Sequence, residues 1–347
     1  MKTRLTELFD IEYPIVLSGM SWISTPELVA AVADAGGLGI LATGVCHPKQ
    51  SREYIQRTRE LTDKPFAANV TLYFPESKSN AKVLIDEQVP VLNYSLGKGD
   101  WIAEAVHAYG GKVVATVTTI KHAQAAQRDG ADAIIVTGHE AAAHGGDVSS
   151  LVLVPRLADV VDIPVVAAGG FADGRGLAAA LCLGADGIAM GTRFMSCQES
   201  PIHPTQKAVA KDKDIHDTIY TDRVDGLPAR FLRASGARRM MKQRINPATA
   251  LVNSRRIAKL MDMPWVKIAA GIMLAGPAKA TQMARMAIAF EAFEAGTMQG
   301  DNDRGVLPLG QVTGLIDDHP TVAELFDRMV AQAQKVGAAT TASLGSD

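Results

Sequence analysis

Eight short apolar runs, each continuous rather than alternating, recur through the first 190 residues of the chain. Each run is bounded by Gly, Pro or Asp, which is typical of strands that are buried on both faces. The runs are Pro14–Leu17, Leu38–Ala42, Phe66–Val70, Val89–Tyr94, Lys112–Thr116, Ala133–Thr137, Pro164–Ala168 and Gly187–Met190.

Spans with helical spacing lie between these runs. They are Pro26–Ala35, Gln50–Leu61, Ser79–Gln88, Trp101–Tyr109, Ile120–Asp129, Leu151–Val161 and Gly174–Leu183. Strands that alternate with helices pair in parallel, since each helix carries the chain back to the same end of the sheet. Eight such units favour a closed (β/α)8 TIM barrel, an α/β fold, over the alternative of an open doubly wound sheet.

The pattern changes after Thr192 and divides the chain into three parts. We predict the barrel in residues 1–206 and a small helical domain in 207–295, because this second part has helical spacing and no Val/Ile strand run. We interpret the helical part as a lid over one end of the barrel. Residues 296–347 are predicted to be a return loop followed by a closing helix, Leu315–Val336.

The composition excludes several classes of protein. Hydrophobic residues make up 47% of the chain and charged residues 21%, as expected of a globular protein, and the net charge of −2 favours neither nucleic acid nor a membrane surface. Three cysteines without CxxC spacing argue against a disulfide framework or a zinc site. No apolar run is long enough for a signal peptide or a membrane span, so we expect a cytoplasmic protein.

Glycine turns follow the seventh and eighth predicted strands. Gly169 and Gly170 follow one strand, and Gly191 and Thr192 follow Met190 at the end of the other. All strand-to-helix loops of such a barrel emerge at one mouth, where the last two commonly bind a phosphate through backbone N–H groups. The turns therefore predict a phosphorylated substrate or a cofactor such as FMN.

A histidine lies in the loop after the sixth strand, within the sequence GHEAAAHGG. His144 is a candidate acid or base, since imidazole titrates near neutral pH and the small neighbours leave room for a ligand. The alternatives are a surface histidine and a competing role for His139. A metal site is not expected, because the two histidines are five residues apart and lack the i,i+4 helical spacing.

Polar or flexible residues end three earlier strands, namely Gly19 and Met20 after the first, Asn69 in the third and Thr116 in the fifth. They face the same mouth. Each has two interpretations, which are simple packing or contact with a flat ring bound at the mouth.

At these residues the chain resembles the FMN-dependent nitronate monooxygenase (2-nitropropane dioxygenase-like) family, which also includes NAD(P)H:quinone reductases and flavin-dependent enoyl-thioester reductases. The matching segments are PIVLSGM, GGLGILA, GHEAAAHGG, VVAAGGFADGRG, ADGIAMGTRF, SPIHP and GDNDRGVLPLGQVTGLI. The chain departs from the family where it reads EAAAHGG, since the commonest form is EAGGHxG.

The resemblance implies FMN as cofactor and assigns roles to the residues above. The FMN phosphate would lie on the two glycine turns, and the flavin ring near Met20 and Asn69. Thr116 and Ala168 would contact the ring, Gln311 would lie near it, and His144 would be the catalytic residue.

The resemblance leaves the reaction open. The leading hypothesis is a nitronate monooxygenase that uses O2 to convert a small nitronate or nitroalkane into a carbonyl compound and nitrite. The alternative is an NAD(P)H-dependent reductase of quinones or enoyl thioesters, whose nucleotide or CoA phosphate would bind a basic run. That run comprises Arg230, Arg233, Arg238, Arg239, Lys242 and Arg244, and its other interpretation is a solvated helix face. A barrel that binds FMN without catalysis is the third hypothesis.

Overall fold

Eight parallel strands close into a barrel in chain order, and the eighth pairs with the first. The computed structural model describes residues 1–73, 77–142, 144–243, 255, 264–266, 270 and 277–345. The strands are β1 (Ile15–Leu17), β2 (Leu38–Ala42), β3 (Ala67–Thr71), β4 (Val91–Ser95), β5 (Lys112–Val117), β6 (Ala133–Thr137), β7 (Val165–Ala168) and β8 (Gly187–Met190). The prediction of a TIM barrel is confirmed, and every predicted strand is present with its ends within two residues.

Helices surround the barrel. They are α1 (Arg4–Phe9), α2 (Pro26–Asp34), α3 (Pro48–Leu61), α4 (Ser77–Asp86), α5 (Asp100–His107), α6 (Ile120–Arg128), α7 (Ser150–Ala158), α8 (Gly174–Cys182) and, at the end of the chain, α13 (Val322–Leu344). The predicted closing helix is therefore displaced: it begins at Val322, after the N-cap Thr321, and continues to Leu344, beyond the predicted end at Val336.

Helix α1 closes the bottom of the barrel, a feature that the sequence pattern does not predict. Its Leu5 and Phe9 are buried in one cluster with inward-facing strand residues such as Val16, Ile40 and Val166. Arg4 fixes the helix by a two-point contact with Asp186, whose carboxylate also accepts the Val165 N–H. The bottom is thus filled with apolar side chains, which leaves the opposite end for a site.

The short helix α9 (Thr192–Met195) follows β8, and its Phe194 and Met195 are buried in the core around the barrel. The small domain contains α10 (Pro204–Asp212), β9 (Thr218–Thr221), β10 (Ala229–Leu232), α11 (Ser235–Lys242) and α12 (Pro277–Met298). The part predicted to be helical also contains two strands, because β9 and β10 pair as an antiparallel ribbon. Their sequences, TIYT and ARFL, hold no Val/Ile run of the kind that marks the barrel strands.

Two further expectations concern this domain. Helix α10 spans the predicted boundary at residue 206. Most of the segment MDMPWVKIAAGIML, interpreted above as part of a lid, lies outside the described residues. No helix among the described residues is long and apolar enough to cross a membrane.

Candidate active site

Two glycine turns lie side by side at the mouth, because β7 and β8 are neighbours in the barrel. Gly169 and Gly170 have φ angles of 99° and 85°, which L side chains rarely adopt. Within the described chain, no hydrogen bond is donated by the backbone N–H groups of Gly169, Gly170, Gly191 or Thr192. Four free N–H donors on two adjacent turns are suited to an anion such as a phosphate.

The loop after β1 lies across this part of the mouth. A Cβ atom on Gly19 would lie 2.9 Å from the Cβ of Asn69, so the glycine allows close backbone packing over that side chain. A Cβ on Gly191 would lie 3.3 Å from the sulfur of Met20. The structure therefore brings Gly19, Met20 and Asn69 together with the β8 turn.

A row of polar side chains crosses the interior of the barrel. Asn69 Nδ2 donates to Asn93 Oδ1 at 3.5 Å, and Asn93 Nδ2 donates to Thr116 Oγ1 at 3.1 Å. Asn69 is the third of five residues in β3 and Thr116 the fifth of six in β5, so neither residue ends its strand as we expected. Asn93 was missed, although a buried Asn within the apolar run VPVLNY signals a polar task.

The return loop joins the mouth through backbone contacts. The Gly310 N–H donates to Thr192 Oγ1 at 3.1 Å, and the Gln311 N–H donates to the Glu140 carbonyl at 2.9 Å. Glu140 accepts hydrogen bonds from the backbone N–H and hydroxyl of Ser150. Gln311, which the family resemblance implied, thus lies against the loop that carries His144.

Ala168 and Met190, both predicted to bind the cofactor, belong to different apolar clusters. Ala168 belongs to the cluster that fills the barrel interior. Met190 belongs instead to the outer core between strands and helices, so only its backbone can reach the mouth. Its carbonyl accepts the Ser18 N–H at 3.0 Å.

His144 is paired with a buried carboxylate. Its Nε2 lies 2.7 Å from Oδ2 of Asp225, and the exposed fractions of the two side chains are 36% and 7%. The other carboxylate oxygen, Oδ1, accepts the Leu227 N–H at 3.0 Å. Asp225 lies in the β9–β10 turn, so the small domain supplies the partner of a barrel residue.

Two more side chains of the same ribbon bind the loop that carries His144. The Tyr220 hydroxyl donates to the carbonyls of Gly145 and Gly146, at 2.7 and 3.1 Å. Arg230 donates from Nε and Nη2 to the His139 carbonyl, at 3.1 and 2.8 Å. Burial lowers the pKa of Arg230 and raises the pKa of Tyr220.

The basic run does not act as one surface. Arg230, on β10, is buried, and Arg233 donates to the Thr218 carbonyl. Arg238, Arg239 and Lys242 lie on the exposed face of α11, where Arg239 donates to the Arg304 carbonyl. Arg244 lies outside the described residues. The run therefore divides into the buried Arg230, an exposed Arg233 bound to the ribbon backbone, and an exposed helix face.

Comparison with known proteins shows where the chain belongs. The sequence profile of the family described as "Nitronate monooxygenase" matches residues 2–100 and 77–332. The chain belongs to the nitronate monooxygenase family. As the resemblance implied, it is an oxidoreductase.

The relatives of this chain carry names that describe different activities. A "(3aS,4S,5R,7aS)-5-hydroxy-7a-methyl-1-oxo-octahydro-1H-indene-4-carboxyl-CoA dehydrogenase" of Rhodococcus jostii is 38% identical over 96% of both chains. A "Probable nitronate monooxygenase" of Staphylococcus saprophyticus is 33% identical over 66% of this chain and 78% of its own. The structure of FabK from Thermotoga maritima superposes with a TM-score of 0.83, at 34% identity over 98% of both chains.

Proposed function

We propose that the chain is an FMN-dependent oxidoreductase that oxidises or reduces the Cα–Cβ bond of an acyl-CoA thioester. The observation that carries the proposal is the His144–Asp225 pair, which offers a positioned acid–base group at the mouth. Redox chemistry beside a thioester carbonyl requires such a group, because a proton must leave or reach Cα. The Rhodococcus dehydrogenase, similar along nearly the whole chain, supports a CoA thioester as substrate.

We assign the FMN phosphate to the free N–H groups of the turns Gly169–Gly170 and Gly191–Thr192. The donor set fits, because four unpaired N–H groups on adjacent turns can surround a phosphate without a side chain. The remaining assignments for the flavin ring follow the interior polar row and its neighbours: Gly19, Met20, Asn69, Thr116, Ala168, Gln311 and the backbone of Met190. When bound, FMN supplies the two-electron acceptor or donor that this reaction needs.

His144 handles the proton in either direction. In the oxidative direction its free ring nitrogen accepts the Cα proton, which the neighbouring thioester carbonyl makes acidic. In the reductive direction the protonated ring returns a proton to Cα. Asp225 balances the positive charge that the ring carries between these steps, because its carboxylate is buried 2.7 Å away.

A nitronate is the second candidate substrate. The family description and the Staphylococcus relative favour it, and O2 would then be the co-substrate and nitrite a product. A nitronate already carries its negative charge, so His144 would act as a polar partner rather than a base. The nitronate reaction therefore needs no proton transfer by His144, whereas redox chemistry of a thioester does.

The two candidates separate in one spectroscopic experiment on FMN-loaded protein. Under anaerobic conditions we expect butyryl-CoA to bleach the oxidised flavin, or crotonyl-CoA to restore the colour of flavin reduced by NADH or NADPH. Free butyrate and crotonate are the controls for the CoA thioester. A flavin that responds to neither thioester contradicts the proposal, and oxygen consumption with propionate 3-nitronate would then favour the second candidate.

A variant of the acid–base group sharpens this test. His144→Gln should retain FMN and lose turnover by a factor on the order of 100 or more. The matched control is His122→Gln, which removes an exposed histidine from α6. Equal turnover in both variants would contradict the role given to His144.

A further inference from the structure

We infer that Asp225 is the positioning residue for His144: its carboxylate keeps a proton on Nε2 and leaves Nδ1 to exchange protons with the substrate. The inference rests on the acid–base role proposed above. It specifies which ring nitrogen of His144 exchanges protons with the substrate and which part of the fold fixes that choice.

The hydrogen-bond partners determine the assignment of the ring nitrogens. An ionised carboxylate only accepts, so the 2.7 Å contact with Asp225 Oδ2 requires a hydrogen on Nε2. Neutral imidazole carries one ring hydrogen, and the lone pair then lies on Nδ1. No described residue hydrogen-bonds to Nδ1 of His144. That nitrogen is therefore the one available to a ligand at the mouth.

Asp225 is itself fixed. Its carboxylate is 7% exposed, so water competes little for the oxygens, and Oδ1 is occupied by the Leu227 N–H. A carboxylate whose second oxygen is bound in its own turn cannot rotate freely. It presents Oδ2 to the imidazole in one orientation.

The loop that carries His144 is held from both sides by the same ribbon. Tyr220 on β9 binds the carbonyls that follow the histidine, Gly145 and Gly146. Arg230 on β10 binds the carbonyl of His139, at the beginning of the loop. With Asp225 in the turn between the two strands, three side chains of one hairpin fix the backbone and the ring of a barrel residue. The small domain therefore determines the protonation pattern of the acid–base group.

Nitrogen NMR of FMN-loaded protein labelled at histidine tests this without any substrate. His144→Gln identifies the signals of His144. Spectra are recorded across a pH series, and the tautomer is determined at the alkaline end, where the ring signals no longer change with pH. We expect wild-type His144 to be protonated on Nε2 alone. In Asp225→Ala we expect a mixture of both tautomers. Asp222→Ala, which removes an exposed carboxylate from the same turn, should leave the wild-type pattern.

Kinetics provide the second readout. With the acyl-CoA substrate, Asp225→Ala should lower kcat by a factor on the order of 100 while KM and FMN affinity stay near wild type, and Asp222→Ala should not. A wild-type ring protonated on Nδ1 would overturn the inference, whatever the substrate is. The expected tautomers in a protein that turns over no thioester would instead support the inference and contradict the proposed function. Unchanged tautomers and kcat in Asp225→Ala would show that the contact has no positioning role.

Discussion

The two glycines after β7 should respond differently to the same substitution. Both have positive φ, so a Cβ costs about 1–2 kcal/mol of backbone strain at either position. At Gly170 the new Cβ would lie 3.5 Å from Glu140 Cβ, which is an ordinary contact. At Gly169 it would lie 3.1 Å from Ala141 N and 3.2 Å from the Gly138 carbonyl oxygen, both of them backbone atoms.

These contacts predict different losses in the free energy of unfolding for the two variants. Gly170→Ala should lower the free energy of unfolding by about 1–2 kcal/mol, from strain alone. Gly169→Ala should lower it by about 2–5 kcal/mol, because overpacking against backbone adds about 1–3 kcal/mol. Both variants should also bind FMN more weakly, since the directions of the free N–H groups depend on these φ angles.

Fluorescence titration measures the FMN affinity of each variant, and equilibrium urea unfolding of FMN-loaded protein, corrected for that affinity, measures the differences in stability. The control is Gly337→Ala in α13, where a Cβ meets nothing within 4 Å and φ is not positive. Because alanine favours a helix, this control should be more stable by about 0.5–1 kcal/mol. Equal destabilisation of the two turn variants would refute the contact argument, and no destabilisation of either would refute the strain argument.

Two further predictions concern parts of the molecule away from the mouth. Phe9→Ala should lower the free energy of unfolding by about 3–5 kcal/mol, because Phe9 fills the bottom of the barrel; the exposed Leu344→Ala should change it by less than about 0.5 kcal/mol in the same urea titration. A thiol reagent near pH 8 should label the exposed Cys182 alone in the folded protein and all three cysteines after denaturation, since burial raises the pKa of Cys46 to about 11 and of Cys197 to about 12. Rapid labelling of Cys46 or Cys197 in the folded protein would contradict their burial. Because the raised pKa values keep both thiols protonated in the folded state, the free energy of unfolding should also fall as the pH rises from about 9 towards 12.

Local pattern was sufficient to predict the barrel and the loops that lie at its mouth. A strand buried on both faces must be apolar throughout, so each of the eight strands is visible in the sequence without its neighbours. Once eight parallel units are recognised, the topology places every loop that follows a strand at one end. That is why Gly170 and Gly191 could be predicted to lie at the same end of the barrel although 20 residues lie between them.

Other features depend on contacts between distant segments, and no local pattern shows them. Helix α1 is too short to display a clear period, and only the closed barrel gives it an interior to fill. The ribbon β9–β10 lacks a Val/Ile run, and its strands form through the antiparallel pairing of TIYT with ARFL, which no local pattern shows.

The difference between what local sequence determines and what tertiary contacts determine is clearest at His144. The sequence by itself determined that His144 follows a barrel strand and faces the mouth, because strand order and loop position are local properties. Only the tertiary structure showed that Asp225, 81 residues later, lies 2.7 Å from its ring. An aspartate in a turn looks the same whether it faces solvent or a histidine, since the difference lies in the packing of one domain on another and not in the neighbouring residues.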